Sequence, residues 1–141
     1  GAIIAINKSD LLPPEKFHEI KNILSERLKF LDWAPLVFIS ALTGNGISKI
    51  FPEIEKIIKW QGYKAKTNNL NNFFKQVINK RTPPNKMKFK YIAQVAPKPP
   101  TFVIKTNYPD EVQASYKRYI VNSIRKKYLF YGNPIFITFK K

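Results

Sequence analysis

The sequence predicts an α/β unit of β-α-β-α order, followed by an α+β unit of α-β-β-α-β order. Two observations carry this. The hydrophobic pattern switches repeatedly between short apolar or alternating runs and a three-to-four-residue period, the signatures of strand and helix. The charge also breaks within the chain: residues 1–60 hold 8 Lys/Arg against 7 Asp/Glu, while residues 61–141 hold 17 against 2. Between Glu55 and Asp110 there is no acidic residue. A composition step of this kind marks a boundary between two units. The expected division is a first domain over 1–60, a linker over 61–69 and a second domain over 70–141.

Each element has its own reason. "AIIAI" (2–6) is apolar and β-branched, the pattern of a strand buried in a parallel sheet. Pro13-Pro14 opens a helix in which Phe17, Ile20, Leu24, Leu28 and Leu31 share one face, running to about Phe30. "PLVFIS" (35–40) reads as a second buried strand. "TGNG" (43–46) is a turn, and Ile47, Ile50, Ile54, Ile57 and Ile58 define a helix to about Trp60, with Pro52 in its first turns. Parallel sheets are covered on both faces and usually have more strands, so this unit reads as the back half of a doubly wound domain.

After the polar, basic stretch 62–69, Thr67 or Asn68 can cap a helix. Its apolar set is Leu70, Phe73, Phe74, Val77 and Ile78, and Thr82-Pro83-Pro84 stops it. "KFKYIAQVA" (88–96) alternates, with Lys88, Lys90, Ile92 and Gln94 on one side. "PKPP" turns the chain into "TFVIKT" (101–106). Asp110-Glu111 is expected to open a long helix to about Tyr128, with its acids at the positive end of the dipole. Val112, Tyr116, Ile120 and Ile124 should face the core. Gly132 suits a left-handed helix stop, and "IFITFKK" is a last strand.

Composition narrows the chemistry. The 141 residues contain no Cys and one His, which excludes disulfides, thiolate sites and multi-His metal sites. No apolar run approaches the roughly 20 residues of a membrane span. A cytoplasmic protein with no membrane partner is the expectation. The chain starts at Gly1 and its one Met is Met87, so it reads as a piece of something longer. The net charge of +16, nearly all of it after residue 60, points to a polyanionic partner, RNA or DNA first.

One short motif carries specific chemistry. Asn7-Lys8-Ser9-Asp10 leaves the end of the first predicted strand. Guanine presents N1–H and an N2 amine on one edge, and a carboxylate at Asp10 can accept both in bidentate geometry. Adenine has no donor at N1 and is rejected. Asn7 can offer its amide to the N7/O6 side, and the aliphatic stem of Lys8 can lie along the base. "SAL" (40–42) leaves the next strand; Ser40 is expected to reach Asp10, the Ala41 N–H to donate to O6, and Leu42 to cover the base. Ligands bind at this end of open α/β sheets. The phosphate-binding G-x-x-x-x-G-K-[ST] loop is absent from the chain, so no catalytic residue is assigned.

Together with "SALTGNG", the tail segments "RTPP", "KFKYIAQVAPKPPTFVIKTN" and "SYKRYIVNSIRKKYLFYGNPIFITFKK" resemble the C-terminal part of the bacterial tandem GTPases Der, also called EngA. The resemblance implies that residues 1–60 are the last third or so of a second P-loop-type G domain, and that the remainder is a KH-like domain with a three-stranded sheet and helices on one face. It implies a parent that uses GTP/GDP with Mg²⁺, hydrolyses GTP and assists assembly of the large ribosomal subunit. Asn7, Lys8 and Asp10 match that family's Asn-Lys-x-Asp motif, and Ser40 and Ala41 its Ser-Ala motif, with Leu42 where other small GTPases have Lys.

The tail lacks the G-x-x-G loop with which RNA-binding KH domains clamp a strand, since it holds only Gly62 and Gly132. Charge remains: Lys88, Lys90, Lys117, Arg118, Arg125 and Lys126 are the candidate contacts to ribosomal RNA or the ribosome. Lys88, Lys90, Lys105 and Lys140 are expected on the sheet face away from the helices, with Ile92, Val103 and Phe136. A G domain of the same polypeptide is the expected cover for part of that face. The alternative is a stand-alone basic RNA-binding or protein-docking module with no nucleotide role.

Overall fold

The computed structural model describes residues 1–84 and 86–141. The chain forms two compact units, the first comprising 1–60 with 131–133 and the second 61–130 with 134–141.

In the first unit, β1 (Ile4–Ile6) pairs in parallel with β2 (Leu36–Phe38), joined by α1 (Lys16–Arg27). A 3-10 turn over Ile47–Lys49 then leads into α2 (Ile50–Gln61). The predicted order is present, and Pro52 is the third residue of α2, where a missing N–H costs nothing. Both strands are only three residues long, however, and neither is buried throughout. The apolar face of α1 contains no fully buried residue. Phe17 stacks on Phe38 with ring centroids 4.5 Å apart, yet Phe17, Leu24, Leu28 and Leu31 also line an open cleft of about 520 Å³. On α2 only Ile57 is buried; Phe51, Ile54 and Ile58 form an exposed apolar stripe at helical spacing.

Residues 131–133 complete this unit. Gly132, at φ 63°, leaves no room for a side chain: an added Cβ would stand 2.2 Å from Ile57. The Asn133 amide donates to the Ile57 carbonyl, and the Gly132 carbonyl accepts from the Ala2 N–H. Gly132 therefore packs on α2 and does not end a helix. The Tyr131 hydroxyl donates to Glu53, whose other oxygen accepts from Lys56 at 2.7 Å.

The second unit begins at Gln61, so part of the expected linker is structured. Its sheet has the order β3 (Phe89–Pro97), β4 (Pro100–Thr106), β5 (Phe136–Lys140), with β3–β4 antiparallel and β4–β5 parallel. Helices α3 (Thr67–Lys80) and α4 (Ala114–Tyr128) pack on one face. Between them and the sheet lie Leu70, Phe74, Ile92, Phe102, Ile104, Tyr116, Ile120, Ile124, Phe130 and Ile137. The apolar sets predicted for α3 and for α4 from Tyr116 onward are thus the core; Val112 lies before α4 and is half-buried.

Four expectations change here. Thr67 is the first residue of α3, the N-cap position is Lys66, and no side chain caps it. Asp110 and Glu111 sit in a separate 3-10 turn, Pro109–Glu111, after which Val112 is extended. The first turn of α4 consequently carries no acid. The helix stop is made by Leu129 and Phe130, both at positive φ, not by Gly132. On β3 the alternation holds but the faces are exchanged: Ile92 and Gln94 are buried, whereas Tyr91 and Val95 are exposed. Register shifts between Phe89 and Tyr91, and between Gln94 and Ala96, bracket the strand. A bulge inserts an extra residue, so Phe89 joins the core although Tyr91 points away. Ile92 therefore does not accompany Val103 and Phe136 on the open face.

Side-chain amides close the free edge of β3. Asn71 on α3 donates to the Ile92 carbonyl at 2.9 Å and accepts from the Ile92 N–H at 3.0 Å. Gln94 grips the incoming chain, donating to the Tyr63 carbonyl and accepting from the Ala65 N–H. Asn71→Ala should lower stability by about 2 kcal/mol, because it strands two main-chain groups that the strand partner does not reach; urea unfolding checks this. A second prediction concerns pH. Hydrogen bonds from Lys56 and then Tyr131 hold the Glu53 carboxyl below its usual range. A depressed carboxyl gives stability that is complete above the unfolded value, about 4.3, and is lost as pH falls through the folded one. Tyr131→Phe should weaken this acid-side loss, as read from melting temperatures across pH 3 to 7.

Candidate functional site

The parallel register places the carboxyl ends of β1 and β2 side by side, with Ile6 opposite Phe38. The two motif loops leave from there. The Ile39 N–H donates to the Ile6 carbonyl at 2.8 Å, and the Ser9 N–H returns to the Ile39 carbonyl at 3.0 Å. Between these bonds the chain turns through Lys8, which adopts φ 63° and ψ 33°. A lysine in the left-handed region is uncommon, and such backbone recurs where a loop is shaped for a task. The 3-10 turn Ser9–Leu11 follows, with Ser9 buried and Asp10 exposed.

Asn7 is the joint between the loops. Its Oδ1 accepts from the Lys8 N–H at 2.8 Å and from the Ala41 N–H at 3.0 Å, across 34 residues of sequence. The Ala41 N–H expected to face O6 of a base is thus held by Asn7. Ser40 also differs from expectation. It is fully buried, and its hydroxyl accepts from the Thr43 N–H at 3.2 Å instead of turning to Asp10. Its main chain pins the loop as well: Ser40 N–H donates to Asn45, and Gly44 N–H donates to the Ser40 carbonyl. Ser40 shapes the loop; Asn7, Lys8, Asp10, Ala41 and Leu42 form its exposed rim, with Leu42 88% exposed.

The basic candidates separate into groups. The Lys88 N–H donates to the Asn107 side chain, leaving the ammonium exposed, and Lys90 is exposed beside the β3 bulge. Lys117, Arg118 and Lys126 are exposed on α4. Arg125 is half-buried, and its guanidinium donates to the Leu129 and Phe130 carbonyls at 3.4 and 3.3 Å. It caps the left-handed end of α4 and is less open than Arg118.

Sequence reasoning passed over Arg81. It follows the last residue of α3, and its guanidinium lies over the rings of Tyr119 and Tyr116, 5.2 and 5.9 Å from their centroids. Those tyrosines donate their hydroxyls to the Val77 and Arg81 carbonyls, both at 2.8 Å. The Tyr116 hydroxyl is pushed up to about 12, chiefly by burial, and remains a donor at neutral pH. Two tyrosines one helical turn apart on α4 were the only signal in the sequence.

A protein-family profile described as "KH-domain-like of EngA bacterial GTPase enzymes, C-terminal" matches residues 64–140. The chain belongs to this family. It is 37% identical to GTPase Der of Protochlamydia amoebophila and 39% identical to GTPase Der of Halothermothrix orenii, with 99% of the chain covered in each case. Identity to GTPase Der of Desulforapulum autotrophicum is 40%, again over 99% of the chain. The chain spans about a third of the length of these relatives, between 30% and 33%. No described helix is long and apolar enough to cross a membrane.

The Asn7 joint is testable directly. Asn7→Ala should release the Ala41 amide, and its hydrogen exchange, followed by NMR, should accelerate about fivefold or more, since a lost bond of about 1 kcal/mol corresponds to that factor.

Proposed function

We propose that this chain is the C-terminal part of a Der-type GTPase, in which residues 1–60 supply the guanine-reading half of a G domain and residues 61–141 a basic KH-like domain. The observation that carries the first half is the Asn7 joint, which holds the Asn-Lys-x-Asp and Ser-Ala loops together at one end of a parallel strand pair. Asp10 stands exposed beside that joint as the acceptor for the two guanine donors. Lys8 and Leu42 flank the base, and the Ala41 N–H exchanges its Asn7 acceptor for O6 when guanine is bound.

The open surfaces of the first unit support a larger G domain. Phe17, Leu24, Leu28 and Leu31 in the cleft beside α1, and the stripe Phe51, Ile54, Ile58, are apolar side chains that a completed sheet and further helices would bury. The donor set fits a base and not the rest of a nucleotide. No cluster of three or more acidic or His side chains suited to a metal ion occurs among the described residues. Nor do the five glycines have the spacing of a phosphate loop. On this reading the phosphates and Mg²⁺ of GTP would be held by the phosphate loop of another part of the parent, and this chain alone would not hydrolyse GTP.

For the second half we propose contact with ribosomal RNA in assembly of the large ribosomal subunit, and with G domains of the same polypeptide. The support is the net charge of +15 after residue 60 and the exposure of Lys88, Lys90, Lys117, Arg118 and Lys126. The outer sheet face, with Tyr91, Val95 and Phe136 exposed, is the apolar surface offered to a neighbouring domain.

The test uses the chain extended at its N-terminal side by the parent's own sequence. Asp10→Asn should weaken GDP binding by about 3 kcal/mol or more, since two hydrogen bonds to a charged acceptor are lost. It should also shift preference toward xanthine nucleotides, as read by calorimetric titration. Unchanged affinity and preference would refute the base-reading role.

A further inference from the structure

The helix face of the second unit holds a concavity of about 300 Å³ between the end of α3 and the length of α4. Arg81 forms one wall, and Ser115, Arg118, Asn122 and Lys126 form the other at helical spacing. Three cations converge on it, and no carboxylate lines it. The only acids of residues 61–141, Asp110 and Glu111, belong to another turn.

Arg81 differs from an ordinary surface arginine. Its guanidinium is laid over two tyrosine rings, and the tyrosines are fixed by hydrogen bonds to carbonyls of α3 and of Arg81 itself. A guanidinium held against two rings loses less freedom on binding than a free side chain, and its planar fork of N–H donors matches an oxyanion. Tyr116 is buried, so its ring offers no platform to a base. The chemistry of this cleft is thus that of a phosphate receptor without a base platform.

We propose that Arg81, Arg118 and Lys126 bind consecutive phosphates of an RNA backbone in this cleft, with Asn122 as a neutral hydrogen-bonding partner. The identity of the polyanion as RNA rests on the function proposed above; the cleft itself rests on three cations lining one concavity, with Arg81 held against two tyrosine rings. It assigns backbone contact to the helix face, and separates it from Lys88 and Lys90, which β3 carries.

The experiment measures binding of the 141-residue chain to a fluorescein-labelled ribosomal RNA hairpin by anisotropy, from low to high salt, with polyglutamate as a second probe. R118Q/K126Q should weaken RNA binding by about tenfold or more at 0.1 M salt and flatten the log–log salt slope by about 1.5 to 2. Arg81→Lys keeps the charge but loses the planar fork, and it should also weaken binding. All three residues are exposed, so unchanged thermal melting is the expected check on folding. Full affinity in both R118Q/K126Q and Arg81→Lys would overturn the cleft while leaving RNA binding intact. No RNA binding by the unsubstituted chain, or tighter binding of polyglutamate, would remove the RNA reading and the cleft together.

Discussion

Side-chain amides tie this chain together where regular structure runs out. The first unit has strands of three residues, and the second a sheet of three strands. Short elements leave many main-chain groups without a strand or helix partner, and buried groups of that kind are costly. Asn7 bridges the two strand-end loops, Asn71 and Gln94 close β3, Asn107 holds the chain entering it at Lys86 and Lys88, and Asn133 fixes α2 at Ile57. Each spans at least 19 residues of sequence. With no cysteine to staple loops, these amides do the tying.

That pattern explains what could be read from the sequence. Helices were legible because burial at three-to-four spacing is a local signal: Leu70, Phe74 and Val77, and Tyr116, Ile120 and Ile124, are buried as their periodicity implies. The two loops proposed to read a base could be placed at the strand ends for the same reason, since their residues lie within two short stretches. What failed was tertiary. Alternation along β3 cannot say which face is inside, and a bulge beside Phe89 breaks the phase. The roles of Asn7 and Asn71 depend on groups 34 and 21 residues away. The tyrosine hydroxyls that set Arg81 in place reach across 35 and 42 residues. No spacing rule reports such contacts.

Charge shows the same division between local and global information. The sum of charges pointed to a polyanion, but it did not distinguish cations that hold the fold from cations that face outward. Arg125 is spent on the carbonyls after α4, and Lys56 on Glu53 with its ammonium 5.9 Å from the Tyr131 ring. A count of basic residues therefore overstates what is available to a partner. Exposed charges also differ among themselves. A lysine on a flexible stem loses side-chain freedom on binding, whereas a guanidinium held against two rings has already lost part of it in folding.

The two units divide nucleotide chemistry on the readings proposed here. The first carries groups matched to a base edge: an exposed carboxylate, an amide and a strained lysine turn, with no phosphate loop in its sequence. The second carries cations matched to phosphates, with Arg81 set against two tyrosine rings. The second set holds no carboxylate. A base edge gives selectivity through donor and acceptor pattern, and its energy depends on exclusion of water. Phosphate contact gives affinity that any backbone can satisfy and that salt weakens. On the proposed reading, selectivity in the second unit would come from the shape of an RNA able to present its phosphates to one helix face, since three cations and an amide read no sequence.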